Sequence, residues 1–493
     1  RMTAHFERAL RAVLENPFQA AGHIQILDPE EWQAMLPPIT KVAESPPLLT
    51  KRLVRVAEKH PGKPLVLCGD QTLTAADFTD KARQAAAGLI HLGVRPGDGV
   101  GIAMKRSENL PAAIFGVLFA GAFWVPMDPS HPAKRNAYIR ENSQCRCVVG
   151  DENGPGIKAF SSLLDQGLAP VREWDRQSPA YRIYTSGSTG LPKGVDVSRD
   201  NLAVFAENPG PVFGFSEQDR ILAQTTVTFD ISILEIVVAP ALGVSVAMAD
   251  DAAYRDPEAL MKIIQEKGVR IVQMTPSFLK LMMDVHENGR PFPPHLRRVL
   301  AGGEQLPDSL AKRLQALRHS NPGPGSGLEI INVYGPTEST IWSTAWRLPE
   351  HPLPEGAVSV GRPLAGESVY LLSRQGQPAP LEAVGEIVVA GRGVALGYHG
   401  LPEKNAEKFR ENPFAQGRLY YTGDLGRRRS DGLLVCLGRM DEQVKIRGNR
   451  VEPEEVAAVF MTHPGVRDAV AGAVEMAGEK SLCCWLVPRG TVA

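Results

Sequence analysis

Two kinds of segment alternate along most of this chain, and the alternation restricts the fold more than any other feature of the sequence. Between residues 50 and 437, helical patterns such as FTDKARQAAAGLIHLG and NLPAAIFGVLFAGA are separated by short β-branched runs such as GVGIAM, CRCVVG, VSVAMA and RIVQM. Short apolar strands that alternate with helices are typical of parallel sheets buried on both faces. We therefore predict an α/β fold with stacked, mostly parallel sheets flanked by helices.

The segments on either side of this region have a different character. The N-terminal segment combines an amphipathic helical stretch with the proline-rich MLPPITKVAESPPLL, which is typical of a linker. Strand patterns become denser between residues 356 and 397, which predicts a β-rich subdomain, and the C-terminal stretch combines one helix with a few strands. We predict a linker at 1–49, a core domain at 50–440 and a small, partial α+β subdomain at 441–493.

Composition excludes several classes of protein. The 493 residues exceed one common domain, 43% are hydrophobic, 22% are charged, and the formal net charge is −1. Because no basic block or long apolar run is present, we expect neither a nucleic acid nor a membrane partner. The six cysteines form no CxxC pair and have no Cys/His ligand spacing, so we expect reduced thiols, no zinc site and a cytoplasmic protein.

The stretch YTSGSTGLPKG, residues 184–194, combines three glycines with four hydroxyl residues and Lys193. Exposed backbone N–H groups, hydroxyls and a lysine suit a cluster of anionic oxygens. The lysine position does not fit the Walker pattern. We predict a phosphate loop in a strand, loop and helix context, with a flexible connection as the alternative.

Four further stretches carry polar groups in suggestive combinations. NVYGPTEST, residues 332–340, places an aromatic ring, a hydroxyl and a carboxylate close together, a set that can stack a base, contact phosphate and hold Mg²⁺ through Glu338. In YYTGDLGRR, Asp424 sits in a glycine turn where an acid can accept ribose hydroxyls. The run GRMDEQVKIRGNRVE is densely charged, and TFDISILEI carries Asp230 inside an apolar run, which is costly unless a cation meets it.

Each stretch also has a structural alternative. Asp424 would then cap a turn, Glu338 would be a surface acid, and the charged run from Arg439 would be a solvated face. Asp230 would be the N-cap of the helix that follows it.

The order LTAADF, LFAGAFWVPMDP, YTSGSTGLPKG, FDISILE, NVYGPTEST, GEIVVAGRGVALGY, YYTGDL and GRMDEQVKIRGNRVE resembles the adenylate-forming superfamily, specifically the amino-acid adenylation domains of nonribosomal peptide synthetases. The resemblance implies that an amino-acid carboxylate attacks the α-phosphate of Mg-ATP, giving aminoacyl-AMP and pyrophosphate. The acyl group then passes to the phosphopantetheine thiol of a downstream peptidyl carrier domain. The N-terminal segment resembles the linker from an upstream condensation domain, and the family includes members that need an MbtH-like helper protein.

The resemblance also implies roles for individual residues. The pyrophosphate-holding loop corresponds to Thr185, Ser186, Ser188, Thr189 and Lys193. Tyr334 should stack on adenine, Thr337 should contact the α-phosphate, and Glu338 should bind Mg²⁺. Further nucleotide contacts fall to Gly302, Gly303, Glu304, Asn332 and Gly335, and the ribose contacts to Asp424 and Arg439. Asp441 corresponds to the hinge of the small domain, and Gly448 to the loop that approaches pantetheine.

Two departures from the family pattern stand out. Arg199 occupies the place of a histidine that usually follows the phosphate loop, which puts any role of that histidine in doubt. The sequence stops at Ala493 without the NGKxDR segment, whose lysine bridges the substrate carboxylate and ATP, so we expect the first half-reaction to be impaired in this chain.

The resemblance finally implies a substrate. Asp230 corresponds to the aspartate that pairs with the ammonium of an α-amino acid, and the other pocket positions are Ile231, Leu234, Gln273, Val299, Ala301, Val333, Ile341 and Trp342. Their bulk and the lack of a second charge resemble glycine-activating domains, so we expect glycine first and alanine next. Alternatively, Trp342 and Leu234 are core residues beside a pocket elsewhere. Two other functions stay open: an acyl-CoA or aryl-acid ligase, and an ATP-binding domain without turnover.

Overall fold

The computed structural model describes residues 2–19, 24–187, 191–320, 327–350, 353, 358–441, 443–446, 449–476 and 479–489. Its helices are α1 (Met2–Glu15), α2 (Pro29–Met35), α3 (Leu49–Lys59), α4 (Ala75–His91), α5 (Asn109–Phe119), α6 (Ala133–Ser143), α7 (Arg199–Phe205), α8 (Ile231–Ile233), α9 (Ala239–Ala241), α10 (Pro257–Glu266), α11 (Pro276–Glu287), α12 (Asp308–Ser320), α13 (Pro402–Lys408) and α14 (Pro453–Met461). A π-helical turn, Leu234–Val238, connects α8 to α9, and 3₁₀ turns lie at Phe160–Leu163 and Thr337–Ser339.

The strands are β1 (Pro64–Cys68), β2 (Gln71–Thr74), β3 (Gly99–Ala103), β4 (Phe123–Pro126), β5 (Cys147–Gly150), β6 (Ile157–Ala159), β7 (Pro179–Thr185), β8 (Lys193–Ser198), β9 (Arg220–Ala223), β10 (Ser245–Met248), β11 (Ile271–Met274), β12 (Arg298–Ala301), β13 (Glu329–Tyr334), β14 (Thr344–Arg347), β15 (Arg362–Pro363), β16 (Glu367–Leu372), β17 (Val384–Gly391), β18 (Gly397–Tyr398), β19 (Phe409–Glu411), β20 (Arg418–Arg428), β21 (Leu434–Arg439), β22 (Val444–Ile446), β23 (Asn449–Val451), β24 (Val466–Met476) and β25 (Glu479–Pro488).

Two large mixed sheets confirm the predicted α/β architecture. The first has the order β15-β14-β13-β12-β11-β9-β10-β1-β2, and its strands from β13 to β1 are parallel. The second has the order β18-β8-β7-β4-β3-β5-β6, with a parallel run from β7 to β6. Strands at the edges of both sheets are antiparallel, as is common in large α/β sheets.

Helix α5 explains how the main core forms. Its sequence is apolar on all sides, and residues 110–119 are all buried, as expected for a helix enclosed by other elements. It packs closely on α4, because a Cβ added at Gly116 would lie 2.8 Å from the Ala85 Cβ. The start of α4 is fixed by a capping box in the LTAADF motif, where Thr74 and Asp77 bond reciprocally to each other's backbone N–H.

A third, antiparallel sheet follows, with the order β16-β17-β20-β19 and β21 paired to β20. The N-terminal segment packs on it: Leu36 joins a buried cluster with Tyr370, and the Ser368 hydroxyl donates to the Pro37 carbonyl at 2.6 Å. Near the C-terminus, β22 pairs with β23, β24 pairs with β25, and α14 packs on β24. Among the described residues, no helix has the length and apolarity to cross a bilayer, and no three His, Cys, Asp or Glu side chains are placed to hold a metal ion.

Candidate active site

The sequence motifs converge at one edge of the first large sheet. In the parallel register Met274, Ala301 and Asn332 lie side by side, so β11, β12 and β13 end close to one another. The turn at Gly302 and the GPTE turn that follows Tyr334 leave from this edge. Ligands in open α/β sheets bind outside the carboxyl ends of the strands, so this edge is the expected place for a site.

The phosphate loop has a different context from the one predicted. It connects β7 to β8, an antiparallel pair in which Ile183 faces Val195 and Thr185 faces Lys193. The predicted strand before the loop and the predicted helix after it are present as β7 and α7, but an unpredicted strand, β8, lies between the loop and the helix because the valines of KGVDVS pair with β7. The Thr185 hydroxyl is buried and has no hydrogen-bond partner among the described residues. Ser186 is described with the loop, whereas Ser188 and Thr189 lie outside the described residues.

Lys193 and Glu338 meet although they are far apart in sequence. The Lys193 Nζ lies 3.4 Å from the Glu338 Oε1, and Glu338 has no exposed surface. Tyr398 completes the group, because its hydroxyl donates to the Glu338 Oε1 at 2.8 Å and lies 3.1 Å from the Lys193 Nζ. The Lys193 ammonium is therefore a positive charge held at the end of the phosphate loop by two residues from distant segments.

Tyr334 and Asp424 also lie together, as one ribose-and-base site requires. The Tyr334 hydroxyl donates to the Asp424 Oδ2 at 2.6 Å, and the Arg439 Nη1 lies 2.9 Å from the Asp424 Oδ1. Arg439 in turn makes a two-pronged ion pair with Asp441, with both N···O distances at 2.6 Å. Burial, reinforced by the neighbouring Asp424 charge, raises the pKa of Tyr334 well above its usual range. The predicted ribose residues and the predicted hinge therefore form one charged chain.

For the other residues predicted to contact the nucleotide, the structure shows hydrogen bonds within the protein or constraints on the backbone. Asn332 is buried and donates to the Ser359 carbonyl at 2.7 Å, and Glu304 accepts from the Ser277 hydroxyl at 2.6 Å. Gly335 lies so close to the following turn that an added Cβ would be 2.6 Å from the Ile341 carbonyl oxygen. Gly303 has a φ of +86°, which favours glycine. Gly448 lies outside the described residues.

Asp230 is buried, and its carboxylate accepts a hydrogen bond from the Thr337 side chain. It directly precedes α8, but its side chain makes no capping hydrogen bond and its backbone angles are helical (φ −59°, ψ −25°), so the capping alternative is wrong. Burial raises the pKa of Asp230 to about 6, opposed by a hydrogen bond from the Thr337 side chain. An aspartate that is desolvated in this way is poised to accept a cation.

Most of the other predicted pocket residues lie together and are at most 2% exposed: Ile231, Leu234, Val333, Ile341 and Trp342 share one buried cluster, and Gln273 bonds to the Ile231 carbonyl and the Trp342 indole. Val299 and Ala301 are also buried but belong to a separate cluster on the other face of β12, because successive residues of a strand face opposite sides, so their predicted place in this pocket is wrong. Leu300, which pairs with Gln273, is on the pocket side, and a Cβ added at Gly302 would lie 2.5 Å from Trp342. The Trp342 Nε1 donates to the Gln273 Oε1 at 2.8 Å, so the one polar lining residue predicted beside Asp230 already has a partner. Thr340 and Ile341 have φ values of 65° and 71°, a strained conformation for β-branched residues that often marks a functional turn.

Arg199 has a structural place. It lies in the first turn of α7 and is 4% exposed, and its guanidinium donates to the Ala122 carbonyl at 2.7 Å and the Ser178 hydroxyl at 3.1 Å. Burial lowers its pKa to about 10. The side chain therefore ties α7 to the turn before β4.

Sequence reasoning missed two residues of the site. Tyr398 stands in the motif GVALGY, and its glycine and tyrosine pattern gave no hint of a contact with Lys193. Glu235 is an acid inside the apolar run FDISILEI, the same signal that identified Asp230, and it is fully buried with a pKa raised by burial to about 7. Glu235 accepts from Thr225 and Gln273, which places it directly behind the pocket.

Comparison with known proteins agrees with this geometry. The family model described as AMP-binding enzyme matches residues 53–399. A dimodular nonribosomal peptide synthase of Bacillus subtilis (strain 168) is 35% identical over 494 residues, covering 96% of this chain and 20% of that protein. The chain spans between 6% and 39% of the length of the curated relatives it matches.

Solved structures give the same result. A nonribosomal peptide synthetase protein containing adenylation and carrier domains, bound to a vinylsulfonamide inhibitor, has a TM-score of 0.83 at 26% identity, covering 90% of this chain and 77% of that one. A four-domain nonribosomal peptide synthetase bound to AMP and glycine has a TM-score of 0.77 at 27% identity, covering 100% of this chain and 37% of that one. With the loop, the Tyr334 and Asp424 pair and the buried Asp230 pocket, these matches show that the chain belongs to the AMP-binding enzymes and has nonribosomal peptide synthetases as its sequence relatives.

Proposed function

We propose that this chain activates a small α-amino acid, glycine first and alanine next, as its aminoacyl-AMP with release of pyrophosphate. The aminoacyl group then forms a thioester with the phosphopantetheine of a peptidyl carrier domain. The observation that carries the proposal is a desolvated aspartate, Asp230, grouped with six of the predicted pocket side chains, each 2% exposed or less. The relative bound to AMP and glycine supports the same assignment.

The pocket chemistry favours an α-amino acid over other carboxylic acids. A substrate ammonium supplies the positive charge that makes a buried Asp230 carboxylate favourable. A charged substrate side chain would have no second counter-charge among the lining residues and would be buried unpaired. Trp342, Ile231 and Leu234 leave little volume, so discrimination between glycine and alanine depends on steric exclusion of one methyl group.

In this proposal, each residue at the mouth of the pocket has a separate role. Lys193 and the loop around Thr185 stabilise negative charge on the departing pyrophosphate, and Thr337 lies between the amino acid and the α-phosphate. Tyr334 holds the base, while Asp424 and Arg439 hold the ribose. Because the substrate carboxylate is itself the nucleophile, the protein contributes positioning and charge stabilisation.

A magnesium ion fits the group at Glu338. Mg²⁺ commonly binds through one or two carboxylates and substrate phosphates while keeping several waters. Glu338 is a buried carboxylate whose Oε1 already attracts the Lys193 ammonium at 3.4 Å, beside the phosphate loop. Glu338 would hold the ion, and the bound ion would supply charge neutralisation at the phosphates.

The remaining assignments belong to the whole synthetase. We propose residues 1–49 as a linker from a condensation domain, 50–440 as the adenylation core and 441–493 as part of the C-terminal subdomain, with Asp441 as the hinge. The ion pair between Arg439 and Asp441 supports a link between the ribose site and that hinge. An MbtH-like helper and a cytoplasmic location are further proposals.

The test is a panel of all proteinogenic amino acids in a pyrophosphate-release assay of a protein that joins this chain to a complete C-terminal subdomain, with binding of glycyl-sulfamoyladenosine, a stable mimic of the adenylate, measured by calorimetry. We expect glycine to give the largest response, alanine the next, and tight binding of the mimic. Thioester on a phosphopantetheinylated carrier domain, and not on free coenzyme A, should be found by mass spectrometry. Preference for a large or charged amino acid would refute the substrate, and acylation of free coenzyme A would favour the ligase alternative.

A further inference from the structure

A second buried carboxylate lies behind the amino-acid pocket. Glu235, on the π-helical turn next to Leu234, has no exposed surface. Its Oε2 accepts from the backbone N–H groups of Gln224 and Thr225, both at 3.1 Å, and its Oε1 accepts from the Thr225 hydroxyl at 2.6 Å. A buried carboxylate is tolerated when its oxygens are satisfied in this way, and its removal leaves donors without partners.

The same carboxylate orients the amide of Gln273. The Gln273 Nε2 donates to the Ile231 carbonyl at 2.8 Å and to the Glu235 Oε1 at 3.3 Å, while its Oε1 accepts from the Trp342 indole N–H at 2.8 Å. A flipped amide would place its oxygen against two acceptors and its NH₂ group against the indole donor. Glu235 and the Ile231 carbonyl therefore fix which atom of Gln273 meets Trp342.

Trp342 is held tightly on its other sides as well. Its backbone follows the strained pair Thr340 and Ile341, and an added Cβ at Gly302 would lie 2.5 Å from the indole ring. The Thr340 hydroxyl donates to the Gly393 carbonyl at 2.7 Å, which anchors this turn. Trp342 thus has close contacts at its backbone, at the outer end of its benzo ring and at its indole N–H, and loss of the N–H acceptor would free one of the three.

We propose that Glu235 is a positioning residue for substrate selection: through Gln273 it holds Trp342 where the indole excludes a side chain larger than hydrogen. The inference rests on the proposed function, because it takes the Asp230 pocket as the site of a small amino acid. Glu235 itself does not contact the amino acid. Its effect reaches the pocket through two hydrogen bonds, from Glu235 to Gln273 and from Gln273 to Trp342.

The test begins with Glu235→Gln. Four donors converge on the two carboxylate oxygens, and an amide offers only one oxygen, so its NH₂ group must face a donor and displace Gln273 or the Thr225 backbone. Calorimetric binding of glycyl- and alanyl-sulfamoyladenosine to the full chain gives a selectivity ratio. We expect E235Q to reduce the preference for the glycyl mimic at least tenfold, mainly through tighter binding of the alanyl mimic, with glycyl binding changed by less than threefold.

Two further variants keep the test decisive if E235Q folds poorly. Gln273→Met has a similar volume but offers the indole no strong acceptor, and it should shift the ratio in the same direction. Asp219→Asn changes another buried carboxyl, 4% exposed and located at the amino-terminal edge of β9 beside Arg298, and should leave the ratio within twofold. A shift of the same size in D219N would mean that any buried acid disturbs the pocket, and it would overturn the proposal.

A double-mutant comparison separates positioning from general stability. Trp342→Phe removes the indole N–H, so E235Q added to W342F should change the selectivity ratio by less than twofold, because the route from Glu235 to the pocket is already broken. If E235Q alone leaves the ratio within twofold, or shifts it equally in the W342F background, Glu235 does not act through Trp342.

A wrong substrate assignment would give a different result from a failed positioning role for Glu235. If the wild-type chain binds another aminoacyl mimic in place of the glycyl one, the proposed substrate is wrong. The same variants are then scored on the preferred amino acid against the homologue with one more carbon. Coupling of Glu235 to Trp342 in that comparison supports the positioning role, and its absence overturns it.

Discussion

Replacing Asp230 with asparagine separates what this side chain contributes to substrate binding from what it costs the fold. Asp230 is 3% exposed and accepts a hydrogen bond from Thr337, and burial raises its pKa to about 6. Asparagine has nearly the same shape, can still accept from Thr337 and carries no charge. The variant should therefore lose the ion pair with the substrate ammonium without leaving a cavity.

The two expected effects have opposite signs. The folded pKa of about 6 lies above the ordinary value of 3.8, so the folded state binds more protons between those pH values and stability falls as pH rises through this window. A difference of this size corresponds to about 3 kcal/mol above pH 6. At pH 8, D230N should be more stable than the wild type by up to about 3 kcal/mol, whereas loss of a buried charge partner should reduce kcat/KM for glycine by roughly 10²- to 10⁴-fold.

Urea unfolding at pH 8 measures the stability change, and pyrophosphate release over pH 5 to 8 measures the activity. The wild-type kcat/KM for glycine should fall about tenfold per pH unit below pH 6, because only the Asp230 carboxylate pairs with the ammonium. The D230N profile should be flat in this range.

Asp219 offers a matched control. It is 4% exposed, lies at the amino-terminal edge of β9, and has Arg298 at 3.6 Å and Arg270 at 3.9 Å. D219N should lose stability and keep the wild-type pH profile. The reasoning is refuted if D230N retains glycine activity within tenfold of the wild type, or if its stability at pH 8 falls as that of D219N does.

Three further predictions concern Trp342 in the pocket wall, the positive charge of Lys193 near the phosphates, and Gly335 in the turn after β13. Trp342→Ala should raise kcat/KM for valine or leucine relative to glycine by about 10- to 150-fold, because burying such a side chain is worth about 1.5–3 kcal/mol. An unchanged preference in the amino-acid panel would contradict the assignment of Trp342 to the pocket. Lys193→Ala should lower kcat by about 10²- to 10³-fold with little change in the KM for glycine, measured by pyrophosphate release, and a change confined to KM would exclude transition-state stabilisation. Gly335→Ala should destabilise the fold by more than 1 kcal/mol in urea unfolding, because its Cβ would lie 2.6 Å from the Ile341 carbonyl oxygen, and unchanged stability would show that the turn can move.

Local patterns in the sequence were sufficient for the architecture. Helical and strand periodicities reflect neighbours within a few residues, and they predicted a helix at α5, the parallel strands and the α+β character of the C-terminal segment. Asp230 was identified because a charge inside an apolar run is costly wherever the run is buried. These inferences needed no knowledge of which strands are adjacent.

Contacts between distant segments were decided by the tertiary structure. The phosphate loop connects a β-hairpin because Val195 and Val197 pair with β7, a contact that the local pattern did not indicate, and the predicted helix follows as α7. Lys193, Glu338 and Tyr398 meet only because β18, a distant segment in sequence, pairs with β8 at the edge of the second sheet. Tyr398 carried no signal that a sequence could show, since a tyrosine after a glycine is common in any turn.

The pocket around Asp230 shows most clearly which features the sequence determined and which were decided only by the tertiary structure. The sequence by itself predicted a small pocket around Asp230 with no second charged lining residue. Only the fold determined that Gln273 turns its oxygen to Trp342 and its nitrogen to Glu235, because hydrogen-bond direction depends on the three-dimensional positions of donors and acceptors contributed by three separate segments.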